Sequence, residues 1–122
     1  MEKVQEDSQT IKIVSYHDGL ARNVADMWMK SKDSWGGTGK TEEQVRDQQQ
    51  SSDNLDTFLA VLGEEVVGYC GLSVYKEDVG ALYVPLLNVR PDLHGKKVGK
   101  KLLLHALNVA IEQKWPRLDL YT

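Results

Sequence analysis

The sequence predicts an α/β fold built on a mixed, mostly antiparallel sheet flanked by helices. Three observations carry that reading. Short apolar or alternating runs recur at strand length, two longer stretches repeat apolar residues at helical spacing, and the second of these joins neighbouring strands through a connection long enough to make them parallel.

Residues 1–9 are polar and are expected to form a flexible N-terminus, leaving 10–122 as one domain. Residues 11–16 alternate as a first strand should. Asp18 is a candidate helix N-cap, and Leu20, Val24, Met27 and Trp28 then share one face of an amphipathic helix ending near Lys32. A Gly-rich loop follows. Thr41-Glu42-Glu43-Gln44 can cap a polar helix running to about Gln50. Residues 58–62 and 66–75, separated by the turn material Gly63-Glu64-Glu65, predict a hairpin with Val66, Cys70, Leu72 and Val74 on one face. Residues 82–89 are apolar on both faces, as a covered central strand is, and Pro85 inside them predicts a bulge or splay because proline donates nothing to a ladder. From Val98 onward Leu102, Ala106 and Val109 or Ala110 form an apolar stripe opposite Lys97, Lys101, Asn108 and Glu112, which predicts a helix packed on the sheet. Residues 118–122 read as a last strand.

Composition excludes several function classes. Hydrophobic residues at 41% and charged residues at 27% are values of a globular protein, and a net charge of −3 with interleaved signs gives no basis for nucleic-acid binding. The start lacks a secretory h-region and no stretch is long and apolar enough to span a membrane, so a cytoplasmic location is expected. Cys70, the single cysteine, excludes an internal disulfide and a cysteine-based zinc site, and its place within a strand predicts a buried inert thiol.

The chemistry points to residues 87–103. A Gly- and Lys-rich loop there lies between a buried strand and an amphipathic helix, so main-chain N–H groups and the positive helix end converge on one anion site. Gly95 and Gly99 permit close approach of a phosphate, and Lys96, Lys97 and Lys100 add positive charge. A solvated turn has similar composition; the flanking strand and helix favour the anion site. Gly36-Gly37-Thr38-Gly39-Lys40-Thr41 imitates the end of a P-loop, but Ser34 stands where its first glycine belongs and a helix precedes it. His17, His94 and His105 are too scattered for a metal site, and Trp28 and Trp35 read as packing or loop anchors.

The run Val89-Arg90-Pro91-Asp92-Leu93-His94-Gly95-Lys96-Lys97-Val98-Gly99 resembles the acetyl-CoA loop of the GNAT acetyltransferases, V-x-P-x-x-[RQ]-G-x-G-x-[GA] before a leucine-rich helix. The resemblance assigns Leu87, Asn88 and Val89 to the pantetheine arm and His94, Gly95, Lys96, Lys97, Val98, Gly99 and Lys100 to the pyrophosphate. His94 replaces the usual arginine or glutamine. Lys97 replaces a glycine, which is tolerable if its φ stays negative. The resemblance implies an N-acetyltransferase in which a primary amine attacks the thioester of acetyl-CoA directly, with a backbone N–H stabilising the oxyanion and no metal. The alternative is a catalytically silent module that binds acyl-CoA or a partner protein.

No catalytic side chain is identified. The usual acidic base falls on Tyr83, and tyrosine, with a reference pKa of about 10, is a poor base. Asp26, Asp33, Glu42 and Glu43 are expected near the acceptor side, where they would attract a cationic amine, and a solvated helix face explains them as well. Family members continue through further strands, so the chain is expected to be a partial domain truncated after its fifth strand, with C-terminal strands missing. It is then expected to be inactive alone, and to form a homodimer or otherwise associate through an open sheet edge.

Overall fold

The computed structural model describes residues 10–35, 37, 39–75, 80–93 and 97–120. The expected flexible segment 1–9 lies outside them, as do His94, Gly95 and Lys96.

The chain opens with β1 (Ile11–Ser15), a 3-10 turn at Asp18–Leu20 and helix α1 (Ala21–Trp35). Asp18 does not cap α1. The turn intervenes, and the Asp18 carboxylate accepts a hydrogen bond from the Tyr16 hydroxyl at 3.0 Å instead. Helix α2 (Glu42–Gln49) starts with the capping box its sequence announces: Gln44 N–H donates to Thr41 Oγ1 at 3.1 Å, and Thr41 N–H to Gln44 Oε1 at 2.9 Å. Strands β2 (Asn54–Leu62) and β3 (Glu65–Val74) form the antiparallel hairpin, β1 pairs with β2, and α3 (Val98–Glu112) follows further on.

The expected single strand 82–89 is two strands, β4 (Ala81–Val84) and β5 (Leu87–Val89), broken at Pro85-Leu86. Both pair with β3, but out of register. Tyr83 opposes Ser73 and Leu87 opposes Cys70, so four steps along one side match three along the other. That extra residue is a bulge, placed where proline removes a ladder donor. After α3, strand β6 (Arg117–Leu120) runs parallel to β4, from Ala81↔Arg117 to Val84↔Leu120. The sheet therefore has six strands, ordered β1-β2-β3-β4-β6 with β5 on β3. The mixed α/β architecture is present, whereas truncation after a fifth strand with C-terminal strands missing is overturned: splitting at Pro85 makes the strand after α3 a sixth, docked in the sheet.

Two apolar layers cover the faces. Ala21, Val24, Met27 and Trp28 of α1 and Val45 of α2 pack with Leu59, Val66 and Tyr69, while Val98, Leu102, Ala106 and Ala110 of α3 pack with Phe58, Ala60, Cys70, Leu72 and Leu82. Val66 thus faces the opposite layer from Cys70 and Leu72, contrary to the expected shared face. A register shift between Ala60 and Val61 inserts a residue and reverses the alternation. Gly68 lets α3 sit close, since a Cβ there would lie 2.9 Å from Leu102 Cδ1 and 3.1 Å from Ala60 Cβ. His105 is half-buried, with its ring edge-on to Phe58 at 4.5 Å.

Candidate active site

The break at Pro85-Leu86 sets the site. Gly71 N–H donates to Leu86 O at 2.9 Å and Arg90 N–H to Val67 O at 2.8 Å, so residues 86 and 90 turn their main-chain groups toward β3. By alternation Leu87 and Val89 turn theirs away, to the side where β6 pairs with β4 but, among the described residues, not with β5. Leu87 and Val89 rest their side chains on the α3 layer. Asn88 Oδ1 is buried with no hydrogen-bond partner.

The first turn of α3 lies against this strand. A Cβ on Gly99 would stand 3.7 Å from Val89 Cγ2, and Lys101 N–H to Lys97 O at 3.1 Å is an early intrahelical bond. Helix geometry leaves the N–H groups of Val98, Gly99 and Lys100 without intrahelical acceptors, at the positive end of the macrodipole. Lys97, the N-cap, has φ 64° and ψ 22° and makes no side-chain cap. The condition of a negative φ, under which a non-glycine is tolerated there, is not met. The chain must turn left-handed to enter α3, which explains the glycine that the resembling motif carries there and leaves Lys97 strained by about 1–2 kcal/mol.

The approach to the loop is clamped by Arg90. Its Nε donates to Asp92 Oδ1 at 2.7 Å and its Nη2 to Asp92 Oδ2 at 3.0 Å, while Nη1 reaches Glu65 Oε1 at 2.5 Å. These hydrogen bonds hold both carboxyl groups below the ordinary carboxylate range, with the Lys30 charge adding to the effect on Glu65.

On the other face, toward α2, a cleft of about 180 Å³ opens beside the bulge. Tyr83, Pro85 and Leu86 form one wall, and Gln48, Ser51, Asp53 and Asn54 the other. Tyr69 forms part of its floor; its hydroxyl accepts from Gln49 Nε2 at 2.9 Å, and Thr57 Oγ1 donates to Gln49 Oε1 at 2.6 Å. Burial raises the Tyr69 phenol above its ordinary pKa. Tyr83, at the usual base position, is stacked on Tyr75 at 4.6 Å. Of the acids expected on the acceptor side, Asp26 lines a pocket with Glu64 and Arg90, Glu42 pairs with Arg46, and Asp33 and Glu43 are exposed.

Trp28 is a core residue, edge-on to Tyr69 at 5.1 Å, and burial pushes the Cys70 thiol up to about 12, as an inert interior cysteine requires. Among the described residues no group of three or more His, Cys, Asp or Glu could hold a metal, and no helix is long and apolar enough to cross a membrane.

A strand split by a bulge, with the first turn of a helix lying against it in a mixed sheet, defines the α/β class of this chain. The acetyltransferase (GNAT) family model matches residues 22–122, and the chain belongs to that family, whose fold binds acetyl-CoA. Ribosomal-protein-alanine N-acetyltransferase from Brucella melitensis biovar Abortus 2308 superposes with a TM-score of 0.76 at 20% identity, covering 93% of this chain and 80% of its own. A GNAT family acetyltransferase from Staphylococcus aureus gives 0.74 at 13% identity, over 93% and 87%. An aminoglycoside acetyltransferase from a soil metagenomic sample gives 0.73 at 14% identity, over 92% and 77%. No curated protein sequence matches. The fold thus extends over nearly all of the chain, and the inactivity expected of a chain truncated after its fifth strand loses its ground.

Proposed function

We propose that this protein is an acetyl-CoA-dependent N-acetyltransferase acting on a primary amine. The observation that carries the reading is the meeting of β5, split from β4 at Pro85-Leu86, with the first turn of α3. In this reading Leu87, Asn88 and Val89 hold the pantetheine arm, and His94, Gly95, Lys96, Lys97, Val98, Gly99 and Lys100 hold the pyrophosphate. The residues fit such a ligand: an extended amide-bearing arm needs main-chain donors and acceptors along a strand edge, and the orphaned Asn88 Oδ1 lacks a donor.

When bound, acetyl-CoA supplies a thioester carbon that an amine can attack, with loss of the thiol. The chain contributes positioning and main-chain dipoles. The Leu87 N–H, turned away from β3 beside the bulge, is a preorganised donor of the kind that stabilises an oxyanion. The α3 N-terminus and its lysines contribute electrostatic attraction, which salt weakens.

Calorimetry with CoA, dephospho-CoA and pantetheine tests the reading. Affinity is expected to rise with phosphate count and fall with salt, and thiol release from acetyl-CoA is expected to depend on an added amine. A chain that binds none of the three ligands has no cofactor site here. Binding without turnover for any amine selects the silent acyl-CoA-binding module.

A further inference from the structure

Arg90 follows β5 and stands at an unspecified position of the resembling motif, between its valine and its proline. Its main chain is held on two sides. The N–H donates to Val67 O at 2.8 Å, and the carbonyl accepts from Leu93 N–H at 2.9 Å, the bond that closes the 3-10 turn Pro91–Leu93. Three residues of 3-10 helix have little stability of their own, so the turn is fixed by what its side chains reach. On one face Leu93 packs, with Leu87 and Val89, on the layer that contains Val98 and Leu102 of α3. On the other, Arg90 lines a pocket with α1 and grips Asp92 through Nε and Nη2 and Glu65, at the start of β3, through Nη1. Lys30 of α1 approaches the same Glu65 carboxylate at 3.6 Å. Isolated surface ion pairs contribute little, but the Arg90 side chain is only 16% exposed and its fork meets Asp92 with two bonds, the geometry in which such a pair counts.

We propose that Arg90 is a positioning residue for the cofactor: by tying the turn Pro91–Leu93 to Glu65, it fixes the end of β5 against the first turn of α3 without touching the cofactor itself. The clamp thereby sets the spacing between Val89 and the N–H groups of Val98 and Gly99. This rests on the acetyltransferase reading and deepens it. A ligand that spans a strand and a helix N-terminus binds more tightly when the two already stand at the bound spacing, because the ordering cost falls on folding and not on binding. Lysine is a poor substitute, being a point charge without the planar fork that holds two carboxylates at once. Positioning and direct attraction make opposite demands on Asp92. Removing its charge frees a cation for the phosphates and tightens binding if Arg90 acts by charge, but weakens binding if Arg90 acts through the turn.

Calorimetry of the full chain with CoA and with pantetheine, at ~0.15 M and ~0.5 M salt, tests this, each variant first being shown folded by circular dichroism. Arg90→Lys is expected to weaken CoA binding about ten-fold and that of pantetheine, which carries no phosphate, about two-fold or less. Asp92→Asn is expected to weaken CoA binding roughly three- to ten-fold at both salt concentrations, with Asp92→Glu, which keeps the carboxylate, between it and the parent. The double variant Arg90→Lys, Asp92→Asn is expected to bind no more weakly than Arg90→Lys alone, since both changes act through one contact. Where an amine is acetylated, the KM for acetyl-CoA rises in these variants while kcat stays within about two-fold. If Arg90→Lys does not fold, the Asp92 variants, at a side chain 61% exposed, decide the matter. Tighter CoA binding by Asp92→Asn, losses that multiply in the double variant, or a lowered Tm with unaltered CoA affinity overturns the inference. A parent protein that binds no CoA overturns the acetyltransferase reading and the inference with it, whereas the other outcomes overturn the inference alone.

Discussion

Gly99 separates what the fold needs from what the cofactor needs. It is the second residue of α3, and a Cβ built there meets Val89 Cγ2 at 3.7 Å, ordinary van der Waals contact. Gly99→Ala should therefore be free of strain and stabilise the helix by about 0.5–1 kcal/mol. At ~2.1 cal/mol/K per residue over 122 residues, that is a rise in Tm of about 2–4 °C. Gly99→Glu should fold as well, since an acid in a first turn is favoured by the macrodipole. Its carboxylate, however, enters the proposed pyrophosphate site: two unit charges ~6 Å apart at an effective dielectric of ~20 repel by about 3 kcal/mol, or roughly 100-fold in affinity. Thermal melts and CoA calorimetry read the two effects separately. A Glu variant that binds CoA within three-fold of the parent refutes the placement of the anion at α3. An Ala variant that melts lower refutes the packing.

Lys97→Gly should raise Tm by about 4 °C, because relief of the left-handed backbone is worth ~1 kcal/mol; scanning calorimetry showing no rise would deny the strained N-cap. The lowered Glu65 and Asp92 carboxyls stabilise the fold above their ordinary pKa values of about 4, and that stabilisation disappears as pH falls through the lowered values. Denaturant melts of Arg90→Ala and the parent should therefore differ at pH 7 and converge toward pH 2, and a gap independent of pH contradicts the ion cluster. Gly68→Ala should cost about 1–3 kcal/mol, since the new methyl meets Leu102 and Ala60 at 2.9 and 3.1 Å; urea unfolding with an unchanged midpoint would show that α3 has room to retreat.

What could be read from the chain was local. Thr41 and Gln44 announce α2 because a capping box is complete within four residues, and Pro85 announces a break because a missing donor is a property of one residue. The side on which Val66 lies could not be read, since the shift between Ala60 and Val61 is a relation between two strands. The strand count failed for a related reason: an apolar run conceals whether its two halves keep one register, and the halves differ by one residue against β3. Lys97 was misread because its left-handed φ is imposed by the path from β5 into α3, and lysine itself gives no sign of it.

Three departures from local rules flank one junction, while two others, the buried Ser31 Oγ without a hydrogen-bond partner and the left-handed Lys114 after α3, lie elsewhere. A proline interrupts a strand at 85, an asparagine oxygen is buried without a partner at 88, and a lysine takes a left-handed N-cap without a side-chain cap at 97. Each of these is a cost that packing elsewhere must offset. Away from them α2 carries a full capping box, and α3 ends with Lys114 N–H to Ile111 O at 3.0 Å and Trp115 N–H to Ala110 O at 2.9 Å, a Schellman arrangement. The three costs all flank one junction, where β5 leaves the bulge and leads into the first turn of α3. A cluster of such costs at one place is what a functional site is expected to show. A ligand that lies along β5, donates to Asn88 and fills the space before Val98 would relieve the orphaned oxygen and use the bulge, which ties the cofactor assignment to the energetics of the fold itself.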